Sequence, residues 1–229
     1  MKFSNSILRF ISHMDFSIDL PANTEVMHPF KEPDVMGACR SFYKKFYDDN
    51  DERFMIIGIN PGRFGGGITG IPFTDPLHLQ NDCGIENKWQ KKQELSANFM
   101  YEMMYASGGI QSFYNRFYIT SISPLGFTRN NRNLNYYDDR ELQNNIKPFV
   151  IDCMQRQLKF GIRTNAAFCL GDGKNFKYLS KLNDEMKWFR QIIPLSHPRF
   201  IMQYRLKKKQ EYISFYLTQF EKYLSSHEC

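Results

Sequence analysis

Short apolar runs alternate along the chain with longer segments whose apolar residues recur at helical spacing. An apolar run of about five residues has the length of a buried strand, whereas a spacing of three and four residues is typical of a helix. Strands separated by helices pair in parallel, with helices covering both faces of the sheet. The pattern therefore predicts an α/β fold: a three-layer α/β/α sandwich around a short, mainly parallel four-stranded sheet, with strands at 54–58, 116–121, 166–170 and 189–195.

Helices are predicted where apolar residues lie three or four positions apart, as Leu95, Phe99 and Met103 do. Glycine is common just beyond the last turn of a helix, and Gly108 and Gly161 each follow a helical segment. Residues 124–138 show neither period and are predicted to form a loop. The helical segments are 5–16, 35–47, 89–107, 139–160 and 200–223, with a short helix after the turn at 171–173.

The length and the hydrophobic content predict a single domain. Of 229 residues, 42% are hydrophobic, which is enough for one sizeable core. No internal repeat or low-complexity linker divides the chain. We therefore predict one domain over residues 1–229, with residues 1–50 as a helical extension packed on it.

The charge balance favours a polyanionic partner. Thirty Lys and Arg residues against 24 acidic residues give a formal net charge of +6, and the pI is near 9.0. No apolar run reaches the ~18 residues that a membrane span requires, so we predict a cytoplasmic protein without a membrane segment.

The cysteines indicate neither disulfides nor a metal centre. There are five, at positions 39, 83, 153, 169 and 229, an odd number with wide spacing and no Cys-x-x-Cys pair. We expect them to be reduced, and we expect the protein to use no metal and no cofactor.

A strand that ends in a glycine-rich turn is the most informative segment. Residues 53–59 are mostly apolar, and Asn60-Pro61-Gly62 follows directly. Six glycines between positions 58 and 70 flank this Asn, and glycine lets the backbone approach a ligand closely. The turn lacks the Gly-Lys-Ser/Thr end of a phosphate P-loop and the helix-opening glycines of a dinucleotide site. The segment therefore predicts a ligand site of neither class.

The order of residues in this turn resembles the first motif of the uracil-DNA glycosylase superfamily, closest to the single-strand-selective monofunctional branch. Its two halves are Gly-Ile-Asn-Pro-Gly at 58–62 and Thr-Gly-Ile-Pro-Phe at 69–73. A likeness to the rest of the family, over roughly residues 50–220, rests on Leu-Ser-His-Pro-Arg at 195–199, Ser-Pro-Leu at 123–125, Arg-Asn-Leu at 132–134 and Glu-Leu at 141–142.

The resemblance implies two catalytic residues. Asn60 would hold a water against the C1′ carbon of a deoxyribose, which suffices once the glycosidic bond has stretched. His197 would hydrogen-bond the carbonyl of the base and stabilise the negative charge that the departing base acquires. Without the resemblance, the favoured interpretation of Asn60 is a turn residue bonded to its own backbone, and that of His197 is a loop residue bonded to a carbonyl.

The resemblance also implies a set of substrate contacts. Gly58, Ile59 and Gly62 would meet the extruded nucleotide with backbone groups, and Phe73 would stack on the base unless it is an ordinary core residue. Ser121 stands where the family usually has an Asn that reads the pyrimidine edge. A hydroxyl cannot make that paired contact, which is worth about 1–3 kcal/mol of discrimination. A shifted alignment, a water-bridged Ser or another deaminated base all remain open.

DNA contacts are predicted on two loops. Arg199 with Phe200 would fill the hole that base flipping leaves in the stack, although this wedge is about two residues shorter than the family's. Lys207, Lys208 and Lys209 would touch phosphates or simply form a solvated face. The partner loop would contribute Arg129, Arg132 and Asn133.

These observations predict a monofunctional DNA glycosylase that excises uracil or a related damaged base, acts as a monomer on DNA and leaves an abasic site. Neither motif holds a Lys nucleophile, so we expect no strand cleavage. The alternative is a non-catalytic binder of damaged or single-stranded DNA that has lost base recognition through Ser121. A third reading, a small-nucleotide hydrolase, lacks the acidic cluster that magnesium needs.

Overall fold

Two β-sheets form the framework of the computed structural model, which describes residues 1–225. Three strands form one antiparallel sheet and four form a second, larger one. In chain order the strands are β1 (Thr24–Met27), β2 (Arg53–Gly58), β3 (Phe117–Ser121), β4 (Gly126–Arg129), β5 (Arg132–Leu134), β6 (Ile162–Leu170) and β7 (Ile192–Leu195).

The four-stranded sheet has the order β3-β2-β6-β7, and each neighbouring pair is parallel. Strands β2 and β3 are buried at every position, as is the carboxyl-terminal half of β6, as expected where helices cover both faces. The predicted α/β fold with a four-stranded parallel sheet is therefore confirmed.

The helices connect these strands. No helix within residues 1–225 is both long enough and apolar enough to cross a membrane. The α-helices are α1 (Phe3–Ser12), α2 (Pro33–Phe46), α3 (Gly66–Thr69), α4 (Pro76–Asn81), α5 (Leu95–Ala106), α6 (Ile110–Arg116), α7 (Arg140–Asn145), α8 (Lys147–Leu158), α9 (Lys174–Met186), α10 (Pro198–Tyr204) and α11 (Lys209–Leu224), with short 3₁₀ turns at Pro29–Lys31 and Leu206–Lys208.

Two adjacent residues of β3 show the three layers. Side chains alternate across a strand, so Phe117 and Tyr118 point to opposite faces. Phe117 stacks on Phe113 of α6 and meets a ring of α11 at 4.6 Å, between centroids. Tyr118 contacts Phe3 of α1 at 5.5 Å and a ring just after α8. One face of the sheet is thus covered by α6 and α11, and the other by the N-terminal helix and the end of α8.

Several predicted elements have different boundaries in the structure. The helix predicted at 139–160 is two helices, because Pro148 lacks an N–H and sits in the first turn of a new helix, α8. The helix predicted at 200–223 is likewise divided by a 3₁₀ turn, and the one predicted at 89–107 begins only at Leu95.

The loop predicted at 124–138 instead contains the β4–β5 hairpin. Asn130 and Asn131 join its strands with φ of 49° and 58°, and two-residue hairpin turns of type I′ need positive φ at both positions. The other edge of β4 pairs with β1, which the sequence pattern did not predict. Thr24 therefore lies opposite Arg129, and the N-terminal extension becomes part of a sheet.

A buried arginine joins the N-terminal extension to the central sheet. Arg53 begins β2 and is completely buried. Its guanidinium donates two hydrogen bonds to the Asp49 carboxylate, both 2.7 Å, and Nε donates to the carbonyl of Tyr114 at 2.7 Å. The rings of Phe3 and Tyr47 lie against it, at 4.7 and 4.9 Å from the centroids. These contacts compensate for the cost of burying the charge.

The cysteines in the described part of the chain are free thiols. Cys39, Cys83, Cys153 and Cys169 are buried, and burial raises the pKa of each thiol to about 12. Cys229 lies outside the described residues. Buried thiols with raised pKa values are poor nucleophiles, so these four are packing residues.

Candidate active site

A cavity of about 580 Å³ opens at the carboxyl ends of the four parallel strands. Each strand or the turn after it supplies a lining residue: Asn60 after β2, Ser121 at the end of β3, Asp172 after β6 and His197 after β7. Open α/β sheets bind their ligands at this edge. The structure therefore brings together the residues that the two distant motifs singled out.

The side-chain amide of Asn60 is held by the hairpin. Its Oδ1 accepts a hydrogen bond from the N–H of Tyr136 at 3.0 Å, and its Nδ2 donates to the carbonyl of Leu134 at 3.2 Å. The contact to its own turn, at the Pro61 carbonyl, is longer, at 3.4 Å. An amide oxygen has a second lone pair, so Oδ1 can still accept a hydrogen bond from a water in the cavity.

His197 has one defined neutral tautomer. Its Nδ1 accepts a hydrogen bond from the backbone N–H of Arg199 at 3.1 Å, at the start of α10, so the neutral ring carries its proton on Nε2. Burial, and then the Arg199 guanidinium, lower the pKa of His197 to about 4, although Asp172 opposes them. Within residues 1–225 nothing accepts the Nε2 proton, so near neutral pH the ring offers one N–H to the cavity.

Phe73 forms a wall of the cavity above Gly58. A Cβ on Gly58 would lie 3.0 Å from Cε2 and Cζ of Phe73 and 3.3 Å from the hydroxyl oxygen of Ser121. The backbone of Phe73 has φ of 54°, a conformation uncommon outside glycine, and its ring centroid lies 6.0 Å from that of His197. The two rings and the Ser121 hydroxyl therefore face the same space.

The hydroxyl of Ser121 is the polar group at the bottom of this space. The residue is buried, yet within the described chain its hydroxyl makes no hydrogen bond. The nearby amide of Asn175 is fully used: Nδ2 donates to the carbonyl of Leu170 at 2.9 Å, and Oδ1 accepts from the Tyr136 hydroxyl at 2.7 Å. Asn175 therefore supports the backbone after β6, and Ser121 keeps a donor and acceptors for a ligand.

A second cavity, of about 410 Å³, adjoins the first. Asn133, Arg199 and Glu94 line both cavities, and the Oδ1 of Asn133 accepts from the N–H of Arg63 at 3.1 Å. Arg132 lines this second cavity as well. It is a basic cleft next to the candidate active site.

The predicted DNA-contact residues fall into two groups. Arg199 and Phe200 are exposed at the rim of the first cavity. Arg129 lines neither cavity, because its guanidinium donates to the hydroxyl of Thr24 at 2.8 Å and pairs with Asp139. Of the lysine run at 207–209, Lys209 pairs with Glu102 and Lys208 lies 3.7 Å from Glu211. The DNA role of Arg129 stays a prediction that this geometry does not support.

Several lining residues escaped the sequence analysis. The turn after β6 could have been found by the strand-end rule, since Gly171 follows a buried strand and has φ of 110°. Glu94, Tyr137 and Tyr204 carry no local signal, because tertiary packing alone brings them to the site. Within residues 1–225 no three His, Cys, Asp or Glu side chains come together as a metal site. The lining residues missed include Glu94, Asn135, Tyr137, Asp172, Lys174, Asn175, Gln203 and Tyr204.

Comparisons with known proteins bear on this site. A family model described as the uracil DNA glycosylase superfamily matches residues 44–221, a span that contains both motifs. The chain is similar to the crystal structure of wild-type SMUG2 from Pedobacter heparinus, with 44% sequence identity over 98% of this chain and 99% of that chain and a TM-score of 0.95. The comparison with curated proteins gave no match.

Proposed function

Because this chain belongs to the uracil-DNA glycosylase superfamily, whose members act on DNA, we propose that it is a monofunctional DNA glycosylase. It flips uracil or a related deaminated base out of the DNA, hydrolyses the bond between base and deoxyribose, and leaves an abasic site. The observation that carries the proposal is the placement of Asn60 and His197, 137 positions apart in sequence, on one cavity of about 580 Å³.

The first step is departure of the base. Cleavage of the glycosidic bond leaves electron density on the base, chiefly on its carbonyl oxygens, while the sugar becomes oxocarbenium-like. The Nε2–H of His197 donates to the carbonyl nearest the sugar, and this hydrogen bond is strongest in the transition state. A neutral imidazole suits this role, because it stabilises the anion without adding a positive charge beside the cationic sugar.

The second step is attack by water. Asn60 is a neutral amide and too weak a base to deprotonate water, but its Oδ1 can orient one toward C1′. The hydrogen bonds from Tyr136 and to Leu134 fix the amide, so the water position is set before the base leaves. The oxocarbenium-like sugar accepts the neutral water, which loses its proton afterwards.

Base recognition involves Phe73 and Ser121. The ring of Phe73 stacks on the extruded base, and the single hydroxyl of Ser121 reads its edge. One hydroxyl discriminates less than a paired amide contact, so we propose that the enzyme accepts several deaminated bases rather than uracil alone.

Strand cleavage is not part of the proposed reaction. A lyase step needs an amine nucleophile at C1′, and the cavity contains one lysine, Lys174. Its side chain is 69% exposed and its Nζ lies 3.5 Å from a carboxylate oxygen of Asp138, so it is not the desolvated amine that a nucleophilic lysine requires. We therefore propose simple hydrolysis, and we also propose that the enzyme acts as a monomer.

The test is release of base from single- and double-stranded oligonucleotides that carry one uracil, hypoxanthine or xanthine. We expect the wild type to form abasic sites, and Asn60→Ala and His197→Ala to reduce the rate at least ~100-fold, a typical loss for one such transition-state contact, with DNA affinity nearly unchanged. Because Ser121 cannot make the paired contact of the family's Asn, a binder of damaged DNA without catalysis is the second candidate. Binding of these oligonucleotides with no base released by the wild type would select it.

A further inference from the structure

Glu94 occupies the boundary between the two cavities, in contact with the glycine-rich turn. Its carboxylate fills the space that side chains at two glycines would need. A Cβ on Gly62 would lie 2.9 Å from Oε1, and a Cβ on Gly65 would lie 1.8 Å from Oε2. A side chain at either glycine would therefore have to displace the Glu94 carboxylate from the turn.

The carboxylate of Glu94 has no close partner. Within residues 1–225 it accepts no hydrogen bond and forms no ion pair, although it is partly buried. Three arginines, Arg63, Arg132 and Arg199, line the same basic cleft, and the last two make no ion pair with any described carboxylate. An acidic group left unpaired beside free cations indicates that the cleft is arranged for a different anion.

The groups around Glu94 determine its charge. Burial, and then the carboxylate of Asp75, raise the pKa of Glu94 to about 7, while Arg199 and His78 act in the opposite direction. Burial disfavours ionisation of Asp75 too, but hydrogen bonds from His78 and from the Glu94 N–H outweigh it and lower that pKa. Asp75 therefore stays ionised while Glu94 titrates near neutral pH.

We propose that the basic cleft binds the DNA phosphate next to the extruded nucleotide, and that Glu94 is a charge gate that takes up a proton when this phosphate enters. The inference rests on the proposed function, because it is DNA that brings the phosphate. The phosphate meets Arg132 and Arg199 directly, and a protonated Glu94 can donate a hydrogen bond to it. An ionised Glu94 repels it.

Proton linkage gives the consequence. Above about pH 7 the Glu94 of the free protein is ionised, so DNA binding must take up one proton. In that range log Kd should therefore rise by up to about one for each pH unit. The arginines keep their charge throughout this range. His197, with its pKa near 4, is already neutral there.

The experiment measures Kd by fluorescence anisotropy between about pH 6 and 9 at fixed salt, since phosphate contacts are salt-dependent. The probe is an oligonucleotide whose uracil carries an uncleavable 2′-fluoro sugar. We expect Glu94→Gln to bind about tenfold more tightly than wild type at pH 8, to equal it at pH 6, and to lose most of the pH dependence. Glu52→Gln is the matched control, because it removes the same charge at the opposite end of β2 and should follow the wild type.

A neutral methylphosphonate in place of the phosphate beside the uracil shows whether Glu94 acts on that one phosphate or on the total charge of the DNA. With that linkage the wild type and Glu94→Gln should bind equally at pH 8. Equal or weaker binding of Glu94→Gln on normal DNA would overturn the proposal and make Glu94 a support for the turn. Base release, measured separately on cleavable DNA, tests the proposed function. A pH-dependent effect of Glu94 on binding without base release would support the proposed role of Glu94 and refute the proposed glycosylase activity.

Discussion

The ring of Phe73 lies directly over the α-carbon of Gly58. A Cβ at position 58 would be 3.0 Å from two ring carbons, closer than packed carbons normally approach. Strand β2 therefore ends in a residue without a side chain, so that an aromatic wall can stand beside the cavity.

Replacing this glycine should move the wall. We expect Gly58→Ala to shift Phe73, to weaken binding of the extruded base and to lower kcat/KM about tenfold, with a stability loss of about 1–3 kcal/mol from overpacking. Steady-state base release and urea unfolding would measure the two effects. Gly37→Ala is the matched control: nothing lies within 4 Å of its Cβ, and alanine favours the helix at that position in α2. Unchanged activity in Gly58→Ala would show that Phe73 does not need this position.

The state of His197 gives a pH prediction for stability. Its pKa is lowered to about 4 in the folded protein, against about 6.5 for an unperturbed histidine. Between these values the unfolded chain binds the extra proton, so the stability due to the neutral ring is complete above about pH 6.5 and is lost as the pH falls toward 4. Glutamine cannot titrate, so we expect the midpoint of thermal unfolding of His197→Gln to change less with pH over this interval. Parallel profiles for the two proteins would contradict the assignment.

Activity should follow the same proton. In the neutral ring, Nδ1 accepts a hydrogen bond from the backbone N–H of Arg199. Protonation places a hydrogen on Nδ1, and this hydrogen bond is lost because both groups are then donors. We expect the single-turnover rate of base release to have no inflection from His197 between about pH 5 and 8 and to fall as the pH drops through about 4. Single-turnover kinetics in constant ionic strength would measure it, and an inflection near pH 6.5 that is absent from His197→Gln would refute the lowered pKa.

An exposed aromatic pair on α10 should contact unpaired bases. Phe200 and Tyr204 are 40% and 61% exposed, with ring centroids 5.7 Å apart, and both line the cavity. A base stacked on an aromatic ring contributes about 1–3 kcal/mol, so Phe200→Ala and Tyr204→Ala should each weaken single-stranded DNA binding by about 5- to 150-fold without loss of stability. Anisotropy with a single-stranded oligonucleotide measures this. Phe215→Ala, an equally exposed ring that lines neither cavity, should change nothing.

The buried Arg53 allows a stability prediction. Lysine cannot reproduce the two parallel bonds to Asp49 and the bond to the Tyr114 carbonyl. We expect Arg53→Lys to lower the free energy of unfolding by about 3 kcal/mol, at the lower end for a broken buried pair because Asp49 is partly solvated. Urea unfolding measures the loss. Arg40→Lys, at an exposed position of α2, should remain within about 0.5 kcal/mol of the wild type.

The sequence predicted the central sheet and the family, and both are confirmed. Asn60 and His197 could be placed because each follows a buried strand, and parallel strands end at one edge of a sheet. Arg129 could not be placed, since its partner Thr24 is 105 positions away and lies in a strand with no clear pattern. The hairpin has a local signal in Asn130-Asn131, because asparagine tolerates the positive φ that both residues adopt. Glu94 had no local signal in the sequence, because only its packing against Gly62 and Gly65 brings it to the site.

The position of strand β1 limits how far the chain can be shortened without disturbing the candidate active site. It lies before residue 44, outside the span that the family model matches, yet it forms one edge of the sheet whose other edge ends at Leu134. The carbonyl of Leu134 and the N–H of Tyr136 orient the amide of Asn60. A chain trimmed to the matched span would keep every motif and lose a lateral support of Asn60, the residue proposed to bind the water. Closing a contact that spans about 100 residues also costs more loop entropy than a local contact, so we expect this support of Asn60 to form after the local contacts of the hairpin.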